Sequence, residues 1–77
     1  MIALFLFQTT RDVIKAERLC NRHRLQCRII PVPRHISSEC GMSIETDESV
    51  VGEVEKLMKE NGIVTSVYTD ESGGNDK

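Results

Sequence analysis

The opening run Met1-Ile-Ala-Leu-Phe-Leu-Phe7 constrains the fold more than any other segment. Successive residues of a strand point to opposite faces, so a strand covered on one side alternates apolar with polar residues. This run is apolar at both sets of positions. It reads as a central strand shielded on two sides, since an edge strand in a half-wet sheet would carry polar residues at every second place. With 77 residues the chain forms one domain, which buries about 60% of the surface of its unfolded chain. There is no Trp, and Phe5, Phe7 and Tyr68 are the aromatics, so the core is mostly aliphatic.

Thr9 or Thr10 can cap a helix after this strand, and Asp12 suits its first turn. Val13, Ala16, Leu19 and Cys20 then recur at helical spacing, with Arg11, Lys15, Arg18 and Arg22 lining much of the other side. This helix is expected to end near His23 or Arg24. Cys27 to Val32 reads as a strand, and Pro31 and Pro33 put it at an edge or end it there. Residues 33–41 form a polar loop, and residues 41–45 form a short strand with Met42 and Ile44 on one face. Thr46 or Asp47 caps a second helix whose stripe is Val50, Val51, Val54, Leu57 and Met58. Asn61-Gly62 signals its C-terminus, and Ile63 to Tyr68 is the last strand.

The order β-α-β-β-α-β with right-handed crossovers predicts an α+β fold of the ferredoxin-like kind. It has a four-stranded antiparallel sheet, with both helices on one face and the first strand inside the order 4-1-3-2. Residues 1–68 make the domain, and residues 69–77 are a polar tail expected to be disordered. Such a sheet leaves its far face partly bare, exposing Phe5 or its neighbours unless a partner covers them. That favours a homodimer.

No apolar stretch approaches the about 18 residues of a membrane span, and Ile2 to Phe7 is too short for a signal core. The expected location is the cytoplasm, where thiols stay reduced. Three cysteines without a Cys-x-x-Cys make a disulfide framework unexpected. Charge is split along the chain: residues 1–35 hold seven Lys/Arg against two acids, and residues 36–77 hold three Lys against ten acids. This division suits two solvated faces, an anion-attracting surface or head-to-tail self-association.

Cys20, on the helix stripe, is expected to pack as a small hydrophobe, and Cys27 to be structural. Cys40 differs, because it lies in a polar loop before Gly41, with Arg34 and His35 close in sequence. A reactive thiol needs positive charge, backbone donors and access. Arg34 and His35 can supply the charge and the amides of Ser38 to Gly41 the donors, while Glu39 opposes them. Cys20, His23, Cys27, His35 and Cys40 could supply zinc ligands, but their spacing matches no standard finger, so no metal is expected. The few aromatics argue against nucleic-acid binding. Gly73-Gly74 is similar to the ending of double-glycine sulfur carriers, although three residues follow it. No phosphate loop, serine–histidine triad or paired-carboxylate site is recognisable, and no cofactor is expected.

The segment Ile30-Pro31-Val32-Pro33-Arg34-His35-Ile36-Ser37-Ser38-Glu39-Cys40-Gly41 resembles the Se/S carrier-like family. Residues 9–17, and Gly62-Ile63 followed by Tyr68, resemble the family's first-helix opening and last strand. The resemblance covers about residues 1–68. It implies that Cys40 receives sulfur or selenium as a persulfide or selenosulfide and hands it on. Pro33, Arg34, Ser37, Ser38 and Gly41 would then shape the site. The partners implied are a desulfurase-like donor protein and an acceptor protein, and the role is that of a carrier more than of a stand-alone enzyme. Two departures stand out: His23-Arg24-Leu25 occupies a place where a glycine is expected, and Cys20 and Cys27 are extra thiols. The rival reading is a non-catalytic ferredoxin-like module that regulates or binds a small ligand at a dimer interface.

Overall fold

The computed structural model describes residues 2–36 and 40–69. Ser37, Ser38 and Glu39, the tail beyond Thr69 and its Gly73-Gly74 lie outside the described residues. The elements run β1 (Ile2–Phe7), α1 (Thr10–Arg22), β2 (Cys27–Pro31), β3 (Met42–Asp47), a 3₁₀ turn (Glu48–Val50), α2 (Val51–Glu60) and β4 (Thr65–Thr69). They form one antiparallel sheet in the order β2-β3-β1-β4. This is the βαββαβ, α+β arrangement expected from the sequence. β1 is central, and the proline-bearing β2 lies at an edge, where a missing amide donor is harmless.

Both helices pack on the same face, and their apolar stripes meet Phe5, Phe7 and Ile44 in one core. Phe5 is fully buried there, so it does not lie on the sheet's open face. The open face carries the other parity, including Leu4, Leu6, Ile30, Ser43 and Tyr68 by strand register. Leu4 is 6% exposed and Ser43 is fully buried, although no helix covers them. Part of the cover comes from the loop after β2. His35 meets Tyr68 edge-on, with ring centroids 6.1 Å apart. Because β2 and β4 are opposite edges of the sheet, the loop must cross the open face to make this contact. The expectation that Phe5 lies on the far face is corrected, while that face stays partly bare, with Leu6, Ile30 and Tyr68 half-buried and Ile2 exposed.

Helix boundaries follow local chemistry. The Thr9 hydroxyl accepts from the Asp12 amide at 3.1 Å, capping α1. The Asp47 carboxylate accepts from the Ser49 amide at 2.9 Å and so opens the 3₁₀ turn into α2. The Ser49 hydroxyl also donates to this carboxylate, and with the amide it holds the Asp47 carboxyl below its usual range. The C-termini share one geometry. In α2 the Ile63 amide reaches Met58 O at 2.9 Å and the Gly62 amide reaches Lys59 O at 3.2 Å. In α1 the Leu25 amide reaches Cys20 O at 2.8 Å and the Arg24 amide reaches Asn21 O at 3.1 Å. Both are Schellman motifs, which need one left-handed residue. Gly62 supplies it at φ 70°, whereas at the end of α1 Arg24 does so at φ 60°. The glycine expected in this region is therefore missing where the backbone favours it. Arg24→Gly should raise stability by roughly 0.5–1 kcal/mol, seen as a higher denaturation midpoint at unchanged slope. A lower midpoint would show that the Arg24 side chain contributes more than its backbone strain costs.

No helix among the described residues is long and apolar enough to cross a membrane.

Candidate functional site

The candidate site is the loop joining β2 to β3, two strands paired antiparallel with Pro31 opposite Met42. The Val32 amide donates to Gly41 O at 3.0 Å and closes the base of the loop. The Ile36 amide donates to Pro33 O at 3.0 Å, making a turn with Arg34 and His35 at its centre, both exposed. Pro lacks an amide hydrogen but keeps its carbonyl, so Pro33 can start this turn.

Cys40 sits at the other end of the loop, half-buried. Its thiol donates to Met42 O at 3.1 Å, and the side chain packs against the core beneath the helices. Gly41 follows at φ 77°. This left-handed residue turns the chain from the loop into β3. A Cβ at Gly41 would meet nothing within 4 Å. The cost of Gly41→Ala is therefore conformational and not steric, about 1–2 kcal/mol. Chemical denaturation should register that loss, and a change below about 0.3 kcal/mol would show that the turn relaxes freely.

The structure thus joins Cys40 to Gly41 and the end of the core. It sets Arg34 on the exposed turn and His35 across the open face on Tyr68. Among the described residues, no three His, Cys, Asp or Glu side chains cluster as metal ligands.

Sequence reasoning missed a second thiol centre. Cys20, fully buried near the end of α1, and Cys27, half-buried at the start of β2, belong to one apolar cluster. Donation from Cys27 lowers the Cys20 pKa, against burial and the nearby Glu17 carboxylate. The same bond, with burial and the adjoining negative charges, pushes the Cys27 thiol well up. The available signal was the seven-residue spacing across a helix C-terminus, where a Schellman turn folds the following chain back onto the helix's last turn.

A family model described as "Putative Se/S carrier protein-like" matches residues 3–68. The chain belongs to this family. The matched span runs from β1 to β4 and contains the β2–β3 loop, Cys40 and both other cysteines. Neither a curated protein nor a solved structure gives a match.

Proposed function

We propose that the protein is a sulfur or selenium carrier whose Cys40 holds the transferred atom as a persulfide or selenosulfide. Membership of the Se/S carrier-like family, in a chain where one cysteine stands in a loop between two strands, carries this reading. The chemistry needs one sulfur that acts first as nucleophile and then as the atom bearing the cargo. The Cys40 thiolate attacks the outer sulfur of a donor persulfide R–S–SH. A bond forms from Cys40 Sγ to that sulfur, the donor S–S bond breaks, and R–S⁻ leaves. An acceptor thiolate then attacks the terminal sulfur and Cys40 leaves as thiolate. Electrons and atoms balance without an external oxidant, and selenium follows the same steps.

The geometry supports such a transfer. Cys40 lies at a strand end and its thiol is held by a backbone carbonyl, and the exposed Arg34–His35 turn of the same loop can meet a partner. A donor and an acceptor protein are the required partners. Incubation with a cysteine desulfurase and cysteine should raise the mass by one sulfur, or by one selenium with selenocysteine. Peptide mapping should place the added atom on Cys40. Loading confined to Cys27, or none, would reject the reading.

A further inference from the structure

The sheet has two edges, and the sequence guards one of them. β2 carries Pro31 and is followed by Pro33, and its Arg28 is tied to Glu45 of β3 at 2.8 Å. Proline takes away a ladder donor, and charge on an edge strand resists a further strand. β4, at the other edge, reads Thr65-Ser-Val-Tyr-Thr69 and holds neither proline nor charge. β-Branched and aromatic residues fill four of its five places, the composition that favours strand pairing. β1 pairs with one side of this strand from Thr65 to Thr69, and the other side presents amides and carbonyls that a further strand could take up.

The helix beside this edge carries charge that complements itself. Glu55 and Lys59 of α2 line a groove of about 510 Å³ that reaches Ile63 and Thr65, at the start of β4. They stand four residues apart, on one side of the helix. Both are exposed, and among the described residues neither is in an ion pair.

We propose that β4 is a dimerisation edge, where a second copy of this chain adds its own β4 antiparallel and joins two four-stranded sheets into one. Two copies of an edge strand pair antiparallel about a twofold axis perpendicular to the sheet. Val67 then lies opposite its counterpart, and Thr65 opposite Thr69 of the second copy. The axis keeps both helix layers on one side, so the two α2 helices run side by side in opposite directions. Glu55 of each copy stands by Lys59 of the other, and symmetry makes that pair twice. A second copy thus satisfies the strand edge and the charges together. Growth stops at two, because the contact is isologous and the edges left over are the guarded β2 strands. The contact is small beside the about 1,600 Å² of a standard interface, so the dimer should dissociate on dilution. It also concerns the candidate site: His35 rests on Tyr68 of β4, so both β2–β3 loops would flank the seam on the open face.

Sedimentation velocity of the full-length chain over a dilution series tests this, with a phosphine reductant present to exclude disulfide-linked dimers. The expected result is a monomer–dimer equilibrium whose dissociation constant rises with salt. Glu55→Lys should raise that constant by roughly tenfold, since both symmetric attractions become repulsions, and Lys59→Glu should do the same. Combining the two substitutions exchanges the charges and should restore the original constant. Both positions are exposed, so circular dichroism should not change in any of the three variants. Amide hydrogen exchange should slow in β4 as the dimer forms, and not in β2. A chain that stays monomeric throughout overturns the proposal. So does a dimer that both single reversals leave intact, or one broken by Ile2→Lys and not by Glu55→Lys, which would put the contact on the open face.

Discussion

Phe5→Ala should lower folding stability by about 3–5 kcal/mol, the usual loss when a buried aromatic side chain is truncated. Phe5 is fully buried on the central strand, between Ile44 of β3 and Val67 of β4. Its ring meets the stripes of both helices in the same core. A domain of 77 residues has roughly 4–12 kcal/mol in total. The substitution therefore removes a quarter or more of the stability, and all of it at the low end of that range. Val64→Ala is the matched comparison, because Val64 is 62% exposed and its loss should stay within about 0.5 kcal/mol. Urea denaturation of both variants tests the pair. Equal midpoints would mean that the core is not organised around β1.

Cys40→Ser should abolish sulfur loading at residue 40 while leaving the fold intact. The change is nearly isosteric, and a serine hydroxyl can replace the thiol as donor to Met42 O, now 3.1 Å from the sulfur. It cannot replace the chemistry, because a serine alkoxide is not accessible near neutral pH and forms no persulfide. The thermal midpoint should move by only a few degrees, corresponding to less than about 1 kcal/mol. The remaining thiols make the experiment discriminating: Cys20 is sealed in the core, but Cys27 is only half-buried. Residual loading on Cys27 at a much lower rate is compatible with the carrier reading. Loading at the wild-type rate in the Cys40→Ser protein would sink it.

The element order was legible in the sequence because each element announces itself locally. The doubly apolar run of β1 required a central strand, and the sheet order places it there. Pro31 marked β2 as an edge strand, and Thr9 caps α1 through its own hydroxyl. Such signals act over a few residues, where propensity and side-chain period dominate. Boundaries drifted where neighbours intervened. β3 extends to Asp47 because β1 offers partners as far as Ile2, and β4 begins at Thr65 because Ile63 completes the turn after α2.

For the site, the sequence by itself singled out Cys40 and Gly41, since a cysteine in a polar loop beside a glycine stands out from the two on apolar elements. Tertiary structure decided the surroundings. The neighbourhood of Arg34, His35 and Cys40 was inferred from sequence distance, whereas the contacts each makes depend on the path of the loop. His35 lands on Tyr68, 33 positions later, while Cys40 turns into the core. That Cys20 and Cys27 share one core cluster likewise depends on how a helix end reverses, which residue types alone do not specify. Arg24 holds that reversal in a conformation glycine would adopt more easily. Local chemistry thus set which elements form and which thiol stands out, and packing between elements set which side chains share a site.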